Sequence, residues 1–251
     1  MKTFIKEIKE NYDAIEIIPL GDLHLGDANC DLELIKQRVE KIKNRIGCYT
    51  ILTGDLINNA IVGSKSDIYS EQNSPMQQVM EIVKIFYPIR DKILGVCCGN
   101  HERRTYKTCG VDIMYMIAAH LGLVDVYTSE NAVIFIRFGD KKPTYSIYVM
   151  HGSGGGKKAG TKINKLTEMR DVIDADIFIH SHTHLPAVLK EAYYRVYPQA
   201  CSVTLVDKLF INTGATLNYG GYAEVNGYSP ASKQTPSIYL NGKKREFIAK
   251  M

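Results

Sequence analysis

The sequence predicts a single α/β domain in which two mixed sheets pack between helices. Three observations lead there. Short apolar, β-branched runs alternate with helix-spaced apolar residues through the first two-thirds of the chain. After residue 185 the character turns β-rich. Polar residues collect immediately behind one strand after another.

The strands come first in the order of the chain: AIEIIPL (14–20), YTILT (49–53), KILGVCC (92–98), TYSIYVM (144–150) and DIFI (176–179) are short, apolar and rich in branched side chains. Between them, Ile35, Val39, Ile42 and Ile46 recur at helical spacing, as do Met76, Val79, Val83 and Phe86, and again Ile163, Leu166, Met169 and Ile173. YYRVYP (193–198) and VTLVDKLFINT (203–213) read as later strands. The polar stretches 63–75 and 220–237 read as surface loops. No linker divides the chain, so residues 1–251 are taken as one domain. At 251 residues it is long enough to bury a large core.

Composition excludes several classes. An apolar fraction of 45% with 23% charged residues is that of a globular protein rather than a disordered or fibrous one. The longest apolar stretch, around MYMIAAHLGLV, is too short to span a bilayer. The first residues, MKTFIKEIKENYD, lack a signal-peptide core. Six cysteines (Cys30, Cys48, Cys97, Cys98, Cys109, Cys201) form no C-x-x-C pair and no regular spacing, which reads as a reducing cytoplasm without a disulfide framework. The net charge of +4 suits an anionic substrate and argues against tight non-specific duplex binding.

The chemistry lies behind the strands. AIEIIPL is followed by GDLH (Asp22, His24), YTILT by GD (Asp55), and KILGVCC by GNHE (Asn100, His101, Glu102). TYSIYVM is followed by His151, and DIFI by HSHTH, with His182 and His184. Side chains at the carboxyl edge of an α/β sheet converge outside it. Taken singly, each residue has a structural reading: a turn aspartate, a helix cap, a core histidine. Taken together, all use residue types that ligate borderline or hard metals, and all fall at one edge. Two carboxylates, one amide and four imidazoles make the inventory of a two-metal site, in which a carboxylate must bridge to offset the repulsion between the ions.

The ordered set D-x-H, G-D, G-N-H-E, H and H-x-H, running from Asp22 to His184, resembles that of the calcineurin-like metallophosphoesterases. The resemblance implies a four-layer αββα sandwich and two divalent ions, manganese favoured, with iron, zinc or nickel suited to the same donors. It implies that Asp22, His24, Asp55 and His184 hold one ion. Asp55 then bridges to a second, completed by Asn100, His151 and His182. It further implies attack on phosphorus by a hydroxide held between the ions, with His101 as the non-ligand histidine that protonates the leaving oxygen. Asn100 and His101 would also contact the phosphoryl group. His180 is left spare.

Two departures matter. Ser181 stands where the family usually has glycine. In GDLINNA, Asn58 and Asn59 replace the Asp-Arg pair by which protein phosphatases of the superfamily support the catalytic histidine and bind phosphate. That demotes the protein-phosphatase reading and leaves Asn58 as a neutral partner for orienting His101.

Basic residues flank the motifs: Arg103, Arg104 and Lys107 after His101, and Lys157, Lys158 and Lys162 after His151. Arg103, Arg104 and Lys157 are the substrate-binding candidates. The formal G-x-G-x-x-A match at 154–159 follows a strand ending in a candidate ligand, which argues against a dinucleotide site. Tyr219, Tyr222 and Tyr228 are candidates for stacking on bases. The expected activity is hydrolysis of phosphodiesters, with nucleic acid or nucleotide substrates favoured. The alternatives are a phosphomonoesterase of small metabolites and a non-catalytic scaffold that keeps the fold and the metals.

Overall fold

The computed structural model describes residues 1–139 and 142–251. Strands β1 (Lys2–Glu7) and β2 (Ala14–Leu20) precede α1 (Leu32–Asn44). Then come β3 (Cys48–Leu52), α2 (Pro75–Phe86), β4 (Ile93–Cys97), α3 (Asn100–Cys109) and α4 (Ile113–Leu121). Next are β5 (Tyr127–Thr128), β6 (Asn131–Arg137), β7 (Thr144–Met150), α5 (Ala159–Thr167) and β8 (Ile177–His180). The chain closes with β9 (Ala187–Tyr197), β10 (Ser202–Asn212), α6 (Gly221–Val225), β11 (Ser237–Asn241) and β12 (Phe247–Lys250).

Among the described residues these strands form two six-stranded mixed sheets, ordered β1-β6-β7-β8-β10-β9 and β12-β11-β2-β3-β4-β5. The αββα sandwich expected from the sequence is the fold observed, and side-chain alternation shows the layers. On β7, β8 and β10, Ile147, Val149, Ile177, Ile179, Leu209 and Ile211 join the main core between the sheets. Their alternate neighbours Tyr148, Phe178 and Phe210 face outward into a second cluster with Leu166 of α5 and Met169. Strands β2, β3 and β4 run parallel and are buried nearly end to end, which accounts for their unbroken apolar sequence. Helices α1, α2 and α4 cover this second sheet through Ile35, Val39, Ile42, Val79, Ile82, Phe86, Met114 and Ile117.

Several local expectations are corrected. Helix α1 stops at Asn44 because Arg45 turns extended, which leaves Ile46 outside the apolar stripe and 83% exposed. Met76, at the first turn of α2, is also half exposed. His120, in the last turn of α4, does not pack: it faces solvent with Nδ1 against the Met116 carbonyl. The segment 220–237 contains the short helix α6. All six cysteines are free. No helix among the described residues is long and apolar enough to cross a membrane.

Candidate metal centre

Parallel strands bring their carboxyl ends to one edge, and here both sheets do so side by side. In one sheet Leu20, Leu52 and Val96 are in register; in the other, Val149, Ile179 and Ile211 are. Beyond β2 and β3 the two loops continue the ladder. Asp22 N–H donates to the Gly54 carbonyl (3.0 Å), His24 N–H to that of Asp55 (3.0 Å), and Leu25 N–H to that of Leu56 (3.0 Å). The sheets are then stitched together: His182 N–H donates to Asp22 Oδ2 (2.9 Å), and Ser181 Oγ lies 2.5 Å from Thr53 Oγ1.

These loops hold an unusual backbone. Asp22, His24, Asp55, His182 and His184 all have φ between 50° and 67°. For non-glycine residues this left-handed region costs about 1–3 kcal/mol each unless the surroundings enforce it. Among the described residues, five of the seven non-glycine residues with positive φ are candidate ligands, so strain concentrates where the donors converge.

The donor atoms fall into overlapping groups. Asp22, His24 and His184 form one, Asp55, His151 and His182 another, and His24, Asp55 and His101 a third between them. In the first, His24 Nε2 and His184 Nε2 are 3.1 Å apart and His184 Nε2 is 3.6 Å from Asp22 Oδ1. In the second, His151 Nε2 lies 3.2 Å from Asp55 Oδ2, 3.3 Å from His182 Nδ1 and 2.9 Å from Asn100 Oδ1. Asn100 Oδ1 is 2.7 Å from His182 Nδ1. Metal–ligand bonds of about 2.1 Å, at the angles of a tetrahedron or octahedron, put neighbouring donors roughly 3.0–3.4 Å apart. The observed spacings are close to the edges of such polyhedra.

Tautomers agree with this use. His151 Nδ1 is 2.8 Å from the Thr53 carbonyl and donates to it, so Nε2 is the ring atom that faces the cluster. Charge balance points the same way. Burial first, then the charge of Asp55, pushes the Asp22 carboxyl up to about 7. Burial pushes His184 down to about 3 and His24 well below the usual imidazole range. For Asp55, burial works upward but His151 and His101 outweigh it and hold the carboxyl well below its ordinary range. Burial works against a charged His151, yet Asp55 lifts it to about 10. A cation would favour the ionised Asp22 and the neutral His24 and His184, and would have to displace the proton that Asp55 holds on His151. The donor set therefore suits divalent metal.

His101 is built differently. Nδ1 donates to the Asn58 carbonyl (2.7 Å) and Nε2 accepts from Arg104 Nη2 (2.8 Å), so both ring nitrogens have partners, although Nε2 is also 3.7 Å from Asp55 Oδ2. Asn58 orients His101 through its main chain, while its side chain donates to Glu71. Asn59 Nδ2 donates to the His101 carbonyl (2.6 Å).

Of the flanking cations, Arg104 reaches the site. Arg103 instead donates to the Ser129 carbonyl. Lys157 donates to the Asn226 carbonyl and lies over the Tyr228 ring, joining the loop after His151 to the C-terminal loop. Lys162, named above among the basic residues after His151 but not as a substrate-binding candidate, is close enough for its charge to oppose protonation of His184. Tyr219 and Tyr222 are about half exposed. His180 is buried, with Nδ1 on Asn212 Oδ1 (2.9 Å), and has no place among the donors.

Two supports went unread in the sequence. Glu102 is buried and accepts from the backbone N–H groups of Asp55 (3.0 Å), Leu56 (2.7 Å) and Gly99 (3.1 Å), tying the two metal-facing loops together. Its place after Asn100 and His101 was visible, but its partners are distant in sequence. Ser181, in the position of the usual glycine, bridges Thr53 and Thr213, and Thr213 reaches Asp22 Oδ2 at 3.4 Å.

The fold and the donors thus define a class: an αββα sandwich with a His/Asp/Asn cluster at the joint carboxyl edge of its sheets. Solved structures similar in fold carry these names. A metallophosphoesterase from Sphaerobacter thermophilus is 14% identical over 90% of this chain and 84% of its own, with a TM-score of 0.41. A Vps29 double mutant from Entamoeba histolytica is 14% identical over 94% and 100%, TM-score 0.43. The nuclease MPE of Pseudomonas putida is 14% identical over 93% and 87%, TM-score 0.34. No protein-family model and no curated protein matches the chain.

Proposed function

We propose that this chain is a dinuclear metal-dependent phosphoesterase that hydrolyses phosphodiester bonds, with nucleic acids or nucleotides as the favoured substrates. One observation supports the reading most: Asp55 belongs to two overlapping donor groups, with His151 and His182 on one side and with His24 and His101 on the other, and His24 belongs in turn to the group of Asp22 and His184. Asp22, His24, Asp55 and His184 would hold one ion, and Asp55, Asn100, His151 and His182 the other. Manganese is favoured, and iron, zinc or nickel suit the same mixed nitrogen and oxygen set. Bound ions would supply positive charge to the phosphoryl oxygens and a water-derived nucleophile at neutral pH.

The chain's own residues supply the rest. Asn100 and His101, at the amino end of α3, face the phosphoryl group, and the first turn of that helix favours negative charge. With Nδ1 fixed on the Asn58 carbonyl, His101 Nε2 is the atom that hands a proton to the leaving oxygen. The preference for diesters rests on Asn58 and Asn59 standing in place of the phosphatase Asp-Arg pair, and on the basic residues that follow His101 and His151.

The test is hydrolysis of bis-p-nitrophenyl phosphate beside p-nitrophenyl phosphate, with Mn²⁺ and with EDTA. Faster turnover of the diester, abolished by EDTA, is the expected result. Preference for the monoester would move the assignment to a metabolite phosphatase. No metal-dependent turnover of either would leave the non-catalytic scaffold.

A further inference from the structure

Asn59 leaves the site without an arginine behind the bridging aspartate, and the fold brings one in from another element. Arg104 is half-buried on α3, one turn after His101. Its two amino groups have different partners. Nη1 is anchored on the Asn58 carbonyl (3.0 Å) and Ser66 Oγ (2.9 Å), whereas Nη2 points to His101 Nε2 (2.8 Å) at the edge of the donor cluster. Resting on the phosphoesterase reading, we propose that Arg104 is the residue that binds the substrate's phosphoryl oxygens, and that in the free protein it is parked on His101.

The guanidinium fork suits the exchange. Nη1 keeps its two oxygen partners while Nη2 trades a neutral imidazole nitrogen for an anionic phosphoryl oxygen, turning a bond with one charged partner into an ion pair of the fork geometry that suits phosphate. The same move frees His101 Nε2, which carries no proton while it accepts from Arg104, to take one from water and face the leaving oxygen, so phosphate binding and recruitment of the proton donor become one event. Ser66 belongs to the polar loop after Gly63, which gives that loop a part in positioning the phosphate. The neighbouring Arg103 cannot substitute while it is held on the Ser129 carbonyl.

The experiment compares wild type, Arg104→Gln, Arg104→Lys and, as a control for helix charge, Lys107→Gln, all loaded with Mn²⁺. Calorimetry reads the Kd for inorganic phosphate, steady-state kinetics reads KM and kcat for the diester, and metal content is measured for each. A lost charge-assisted contact predicts that Arg104→Gln raises phosphate Kd and KM by about 10- to 100-fold with metal content unchanged. Arg104→Lys should fall between, because lysine lacks the fork. Lys107→Gln should match wild type. Unchanged Kd and KM with a lower kcat would overturn the proposal and leave Arg104 as a positioning residue for His101. If Arg104→Gln does not fold, the lysine variant decides by the same criterion. Phosphate binding that depends on Arg104 in a protein with no esterase activity would sink the enzymatic reading and keep this site.

Discussion

Asp55 and His101 are near neighbours to which the proposed function gives opposite roles, and substitution separates them. Asp55→Asn removes the charge that both donor groups share, and should abolish retention of metal measured by plasma mass spectrometry. His101→Ala should keep the metal and lower kcat by about 10²–10⁴-fold, the usual worth of a general acid. Loss of metal in that variant would make His101 a ligand. Glu102→Gln leaves backbone donors short of acceptors and should destabilise the fold by about 1–3 kcal/mol in chemical denaturation. At this scale the sequence was legible for the donors, since residues such as Asp22, Asp55 and His151 directly follow apolar strands. It was silent on the hydroxyl chain Thr53–Ser181–Thr213, which joins residues distant in sequence that only the meeting of the two sheets brings together, and on the contact between Arg104 and His101, which needs α3 to be helical where no apolar stripe marks it.

The elements were read with uneven success for physical reasons. Buried parallel strands announce themselves as apolar runs, and α1 and α2 show one apolar stripe each. Helix α3 shows none: of its residues only Glu102 is buried, and a polar sequence that is helical beside a site leaves no periodic signal. Strand β1 is a sheet edge with one buried residue, Phe4, and its charged alternation reads equally well as a loop. Two substitutions test the packing. Phe178, stacked on Phe210 at 4.8 Å, anchors the outer cluster beneath α5; Phe178→Ala should cost about 3–5 kcal/mol. Gly54 has φ +92° and its missing Cβ would sit 2.4 Å from Gly99 N, so Gly54→Ala should destabilise by more than about 1 kcal/mol and loosen the metal-facing loops. A thermal melt matching wild type would refute either.

For the whole molecule, the donor cluster links stability to acid and to metal. Burial first of all lowers five histidines, His24, His101, His180, His182 and His184, with His180 brought to about 4 and His184 to about 3. Unfolded, they take up protons near pH 6.5 that the folded state refuses, so their share of the stability is intact above that pH and lost as pH falls toward about 4. Asp22 and Glu102, both raised to about 7, work in the opposite direction but are fewer. Melts in EDTA should therefore show the midpoint dropping between pH 6.5 and 4, and a flat profile would refute this balance. Added Mn²⁺ at 100 times its Kd should stabilise the protein by about 2.7 kcal/mol.

The central claim is that the two sheet edges together build a pair of metal sites sharing Asp55. Anomalous diffraction from Mn²⁺-soaked crystals tests it most directly. Two peaks are predicted, one among Asp22, His24 and His184 and one among Asn100, His151 and His182, with Asp55 between them. A single peak, none, or ions bound elsewhere would contradict it.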